Sequence, residues 1–315
     1  MRFYVFLLLL ASLLWGSVGD VHAQRRLSYR KWQLVFSDDF DTYRNVADMA
    51  ARGPWEFTPG EYRTLINNQY EDSYYDSAAL QLANGSLHMV AQPLPEPIVY
   101  KYHYQGRDSS KVLHYLGGWL TLKEDFATNA LLGDTSRWTG NKGFQYGLFE
   151  IRCKLSPGTG LGPAFWLYSG PTEIDVLEAE HPRKASNNVH YVPKDPTQNK
   201  ALQQIYDYKE PVDLAQDFHT YSAVWTATEV SFYLDRQLLR TVTTDQVPTV
   251  AAPAILIANM GVSSYADTNT WPGELGQKKA PFVIDYIKVY KSREALGNRL
   301  REVKAAVKAA EKSKK

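Results

Sequence analysis

Between residues 32 and 290 the chain is a succession of short runs in which apolar and polar residues alternate, with scarcely any helical period. Alternation at period two makes a strand with one face to bury and one to leave open. Such runs occupy residues 32–40 (WQLVFSDDF), 146–155 (YGLFEIRCKL), 163–168 (PAFWLY), 188–192, 219–225, 230–234, 254–260 and 282–290. Residues 79–91 read as two strands about the hairpin signal Asn84-Gly85. Asp235-Arg236 reads as the turn of the pair 219–225 and 230–234. Many short strands at regular spacing predict an all-β chain, a two-sheet β-sandwich of jelly-roll type. Residues 41–70, with Gly53-Pro54 and Pro59-Gly60, read as loop. Residues 93–118, rich in Tyr, His and Pro, read as a long loop or ribbon able to wall a cleft.

The two ends differ from this body. Residues 1–23 carry Arg2, an apolar run from Tyr4 to Leu14 that is short for a bilayer, and Val21-His22-Ala23, a small-x-small cleavage pattern. They predict a cleaved signal peptide, a mature chain from Gln24, and a secreted or periplasmic bacterial protein with no stable membrane insertion. A retained anchor is the alternative. In residues 292–315, Leu296, Leu300, Val303 and Val307 recur at helical spacing, so this tail is expected to be a basic amphipathic helix. Residues 291–315 hold nine Lys or Arg against three Glu, so a net charge of +1 overall leaves the body mildly acidic. That argues against nucleic acid as a partner. The domain lies in residues 24–291, with a monomer as the default state. The single cysteine, Cys153, excludes an internal disulfide and a Cys-x-x-Cys metal site. Its place in an alternating strand makes a buried, inert thiol the expectation.

The chemistry concentrates in residues 173–178, EIDVLE. Ile174, Val176 and Leu177 are strand formers that want burial. Glu173 and Asp175, two apart, share the other face. Glu178 is an odd step away and would point into the core. One extra residue, a β-bulge at Val176-Leu177, returns it to the face of its fellows. Carboxylates held close raise each other's pKa, so that one stays protonated while another ionises. Hydrolysis of a glycosidic bond uses that asymmetry: one acid protonates the leaving oxygen and the other attacks the anomeric carbon. Calcium ligation is a rival use, although the EF-hand pattern is absent. A solvated acidic face is the plain alternative.

These segments, in this order, resemble the catalytic domain of glycoside hydrolase family 16, the laminarinase-like jelly roll. YGLFEIRCKL is similar to its Y-G-x-F-E-x-R-x-K-L strand, LGPAFWLY to its P-A-F-W-L strand, and EIDVLE to its bulged E-[ILV]-D-x-x-E signature. DFHTYSAVWT, SFYLD and the closing FVIDYIKVY follow in family order. The resemblance implies a retaining endo-glycosidase with a polysaccharide substrate and no cofactor in catalysis. It places the nucleophile at Glu173, the acid/base at Glu178, and between them Asp175, which tunes the pair. It implies substrate contacts at Trp166, His190, Asn67, Asn68 and Asn259, although Gln69 stands where an N-N-E loop has its acid. Many relatives carry a structural Ca²⁺ away from the cleft, and its ligands fall here on Asp39, Gly85 and Asp285. Retention wants carboxyl groups about 5–5.5 Å apart. Four strand steps put the two Glu Cα atoms about 13 Å apart, so their side chains must lean together over Asp175.

The chain departs from the pattern around the cleft. Gly162 stands where laminarinase-like members usually have Trp, and Ala179-Glu180-His181-Pro182-Arg183 follows the triad instead of Gly-rich residues. The implied substrate is β-1,3-glucan first and an algal galactan second. A sulfated galactan would need cations in the groove, for which Lys142, Arg183 and Lys184 are the candidates. A transglycosylase on the same triad and a non-catalytic carbohydrate-binding sandwich are the remaining readings. The latter has no reason to keep both Glu173 and Glu178.

Overall fold

The computed structural model describes residues 26–123, 143–193, 196–207, 212–274 and 278–312; the expected signal peptide and Lys142 lie outside them. Two antiparallel sheets face each other, the jelly-roll sandwich expected from the alternation. In the first, Leu80–Ala83 pairs with Ser86–Tyr104, which shares one edge of Ala280–Ser292 with Trp32–Asp38. Gly147–Lys154, His219–Trp225, Glu229–Leu234 and Gln237–Thr243 continue on the other edge. The second sheet runs Trp55–Glu56, Arg107–Leu122, Ile255–Asp267, Thr159–Tyr168, Thr172–His181 and Lys184–Tyr191, with Gln204–Asp207 and Lys200–Ala201 at its rim.

Alternate residues of both sheets meet between them. Leu120, Phe165, Leu167, Ile174, Leu177, Val189 and Leu256 of the second sheet pack with Phe149, Ile151, Ala223, Trp225, Phe282 and Ile284 of the first, all fully buried. Cys153 is among them, and burial pushes its thiol well above the usual range, as expected of an inert core residue. A smaller cluster of Tyr75, Trp119 and Ile257, with Leu65, Trp166 and Ile255 against it, lies on the other face of the second sheet. That face is the groove.

The hairpin at Asn84-Gly85 has φ of 53° and 70°, the left-handed pair that a tight two-residue turn needs. The 93–118 stretch is a ribbon, made where Ser86–Tyr104 and Arg107–Leu122 run past the sandwich as a hairpin from Ile98↔Leu113 to Tyr104↔Arg107. The C-terminal tail is a helix, Arg293–Lys312.

Two expectations need correcting. Residues 41–70 are not all loop. Val46–Arg52 is a helix whose cap, Asn45, accepts from the Asp48 amide at 2.8 Å, with Asp48 clamped by Arg44 and Arg52. Seven residues leave no room for an apolar period, so only the cap announced it. Asp235-Arg236 joins Glu229–Leu234 to a further strand, Gln237–Thr243, and is not the turn back to His219–Trp225. That strand lies at the sheet rim, where burial does not impose alternation.

Candidate active site

The acids sit on Thr172–His181, the central strand of the groove-bearing half. On one side Ala164 faces Glu178, Phe165 faces Leu177, Trp166 faces Asp175 and Tyr168 faces Glu173. The pairing omits Val176. On the other side Ser186 faces Glu178, Asn188 faces Asp175 and His190 faces Glu173, again with one extra residue on the acid strand. The bulge therefore falls where the sequence places it. Ile174, Leu177 and Ala179 point into the core, and Glu173, Asp175 and Glu178 point into the groove.

Neighbouring strands supply the rest. His190 Nε2 lies 3.3 Å from Asp175 Oδ2 and 3.7 Å from Glu173 Oε1, and the Asn188 side-chain amide is 2.6 Å from the same ring nitrogen. Glu173, Asp175 and His190 each offer a ligand atom within 4.8 Å of the others, spacing that would also suit a cation. The imidazole itself provides positive charge there when protonated. Trp166 Nε1 donates to Asn259 Oδ1 at 2.8 Å, and its ring stands edge-on to Trp119 and Tyr168 at 5.9 and 6.0 Å. Asn259 thus holds the Trp166 indole rather than offering a free amide oxygen.

Burial and the neighbouring carboxylates raise the acids, and the His190 charge works against them. Desolvation first, then the charge of Asp175, raise Glu173 to about 7 and Glu178 to about 8. Asp175 is raised chiefly by burial, against which the His190 hydrogen bond and charge work. His190 is raised chiefly by that same hydrogen bond. Both glutamates thus titrate near neutral pH as a pair, so that one can be ionised while the other keeps its proton. Replacing Asp175 with Asn removes the negative charge that lifts both neighbours. Turnover is expected to fall on the order of tenfold to hundredfold, less than for a group that itself moves the proton. Both limbs of the pH–rate profile should shift to lower pH; unmoved limbs would show that Asp175 does not tune the pair.

One residue missed by the sequence reading is Glu71. Its carboxyl, 8% exposed, accepts from Tyr75 Oη and the Ser73 amide, both at 2.9 Å. The pair lies over Gly261, where a Cβ would come within 2.9 Å of the Tyr75 oxygen. Glu71, Ser73 and Tyr75 at spacing two were the available signal.

The other expected contacts are not brought to the acids. Asn67 Nδ2 donates to Tyr104 Oη at 3.3 Å on the ribbon, and Asn68 Oδ1 accepts from the Tyr70 amide at 3.0 Å. Both shape the loop before Glu71. Of the expected calcium donors, one is already engaged by a cation of the chain. The Asp285 carboxylate already holds the Arg152 guanidinium, which lies over Phe218 at 4.6 Å, and Asp39 is exposed. A dication there would share the Asp285 carboxylate with an arginine. Of the cations considered for a sulfated substrate, Lys184 is exposed and lies 3.8 Å from Asp207 at the rim.

The family model of the glycosyl hydrolases family 16 matches residues 109–288, which takes in every acid of the groove strand. The chain belongs to that family. Among relatives, Endo-1,3-1,4-beta-glycanase ExsH of Rhizobium meliloti is 28% identical over 283 residues, 85% of this chain and 54% of its own. The chain spans between a quarter and about half of the first curated relatives it matches. The laminarinase catalytic domain of Thermotoga maritima shares the fold at 24% identity and a TM-score of 0.57, covering 83% of this chain and 99% of that one. A solved structure described with endo-acting O-glycanases of the human gut microbiota in mucin breakdown shares it at 21% and 0.61, covering 85% and 94%. One fold thus occurs in proteins described with different substrates, which is why the groove residues have to be argued one by one.

Proposed function

We propose that this family 16 chain is a secreted retaining endo-glycosidase acting on internal β-linkages of a glucan, β-1,3-linked first. The observation that carries the reading is the bulge, which aligns Glu173, Asp175 and Glu178 on one groove face, where burial raises both glutamates. The Glu173 carboxylate attacks the anomeric carbon as the glycosidic C–O bond breaks. The departing oxygen keeps the bonding pair and takes the proton of Glu178. The resulting ester is then cleaved by water, whose proton goes to the Glu178 carboxylate, returning both groups to their starting forms. A sugar hydroxyl in place of that water would give transglycosylation. His190 moderates the negative charge beside Glu173 and Asp175, and Trp166 offers its ring to a sugar face.

The glucan preference rests on the names of the relatives and on a groove lined by acids, which disfavours sulfate. An algal galactan is the second reading, and a binding protein without turnover the third. The deciding experiment is release of reducing ends from laminarin, lichenan, agarose, porphyran and carrageenan. Activity on laminarin or lichenan with retained anomeric configuration supports the proposal; binding without turnover on every polymer overturns it.

The pH profile follows from the two acids. Turnover needs Glu173 ionised and Glu178 protonated, so kcat/KM should peak between about pH 7 and about pH 8. Below that window Glu173 takes up a proton, and above it Glu178 loses one. The two limbs report the pair as a unit. A profile level from pH 5 to pH 9 would contradict this assignment.

A further inference from the structure

Three tyrosines stand among the exposed large apolar side chains of the described residues: Tyr168 at 40%, Tyr265 at 52% and Tyr70 at 55%. Two of them touch the acid strand, Tyr168 by pairing and Tyr265 through Glu180, and Tyr70 packs on Tyr265. Tyr168 pairs with Glu173 and stands against Trp166, so it belongs to the groove already described. Tyr70 and Tyr265 lie past the other end, beyond Glu178. Their rings meet edge to face at 6.3 Å, and Tyr265 Oη donates to Glu180 Oε1 at 3.1 Å. Glu180 is two residues beyond Glu178 and near enough for its charge to help raise that acid.

This corner is built rather than loose. The Ser264 amide donates to the Tyr70 carbonyl at 2.8 Å, and Glu71 bridges to Ser263. Asn68 turns the chain into Tyr70, and Lys111 Nζ donates to the Asn68 carbonyl at 2.8 Å. Between Glu180 and Glu71 the floor is bare. Residues 162, 164, 166 and 168 form the open face of their strand, and the first of these is Gly162. A Cβ built on it would meet nothing nearer than the Gly261 backbone at 3.6 Å. Gly162 pairs with Gly261, over which Glu71 lies, and Tyr265 reaches Glu180, so these groups gather at the Glu178 end of the groove.

We propose that Tyr70, Tyr265 and Glu180, over the bare backbone at Gly162, form a sugar subsite beside Glu178 for an uncharged β-linked hexopyranosyl unit. The assignment rests on the glycosidase reading. A hexopyranose with equatorial substituents shows axial C–H bonds on its faces and hydroxyls at its rim. The faces cover exposed tyrosine rings, removing apolar surface from water, and the rim hydroxyls donate to the Glu180 carboxylate. A sulfated or acidic sugar would meet that carboxylate as a like charge. Holding the rings in place beforehand lowers the ordering cost of binding.

The test uses the Glu173→Ala protein, so that substrate binds without being consumed, with laminarihexaose titrated by calorimetry. Tyr70→Ala and Tyr265→Ala in that background should each weaken binding about tenfold, about 1.4 kcal/mol. Tyr265→Phe, which keeps the ring and frees Glu180, should weaken it much less. Glu180→Gln should narrow the preference for laminarihexaose over a sulfated oligosaccharide. Unchanged affinity in both alanine variants, with melting temperatures like the parent's, would overturn the subsite. If the wild-type protein cleaves laminarin and those variants still bind normally, only the subsite fails. If the parent neither cleaves nor binds laminarin, the glucan reading fails with it.

Discussion

Replacing Glu173 with Ala is expected to lower turnover of the polymer by at least about 10⁴-fold, a barrier increase of roughly 5.5 kcal/mol. The size follows from what is lost. Without the carboxylate no glycosyl ester forms, and the protonated leaving group has only bulk water to displace it. Glu178 and the groove still bind and polarise the linkage, so a residue of rate enhancement remains. The change also removes an acid raised to about 7 by burial and by Asp175, so the fold should not suffer. Azide gives the sharper readout. A small anion entering the space left by Glu173 attacks the face the carboxylate used, and the product is a glycosyl azide of inverted configuration. Full hydrolysis by the alanine variant, or an azide product of retained configuration, would remove Glu173 from the nucleophile's role.

Glu178→Gln is the second large effect, and it separates rate from stability. The amide cannot donate a titratable proton, so cleavage of a sugar leaving group should fall on the order of 10²–10⁴-fold. An aryl leaving group of low pKa needs less protonation, so its first step should fall far less. Stability should move the other way. The folded protein raises this carboxyl from 4.5 to about 8, chiefly by burial. Below about pH 4.5 the group is neutral in both folded and unfolded chains, and nothing changes. As pH rises, the unfolded chain ionises first and the folded chain is penalised, until the folded group ionises near pH 8. Gln removes that penalty. Discounted for partial solvent access, the gain is about 2 kcal/mol at pH 8.5, or roughly 5 °C in Tm, and near zero at pH 4. Equal melting temperatures for variant and parent at both pH values would show that Glu178 is not a strained acid.

The acid strand was legible because its constraint is local. Ile174 and Leu177 can share a face only if one residue is looped out, and three acids follow them to the other face. The hairpin at Asn84-Gly85 was legible for the same reason, since its left-handed backbone is written in two adjacent residues. The short helix Val46–Arg52 was not, because seven residues show no period. Gln237–Thr243 escaped because a rim strand is held by its neighbour's backbone more than by a buried face of its own.

What the chain alone determined, then, is the alternation, the bulge and the order of the acids, all set by side-chain periodicity over a few residues. Long-range placement decided the rest. Asn259 serves Trp166 across strands from positions 93 residues apart. Arg152 reaches Asp285 over 133 residues, which gives the expected calcium ligand a cationic partner within the chain. Glu71 covers Gly261, and Tyr70 meets Tyr265, because the loop before the ribbon is laid against the far strand of the groove. A residue's neighbours within a strand follow from the pleat. Its partners across the groove follow from which strands the core brings together, and that is a property of the packed sheets.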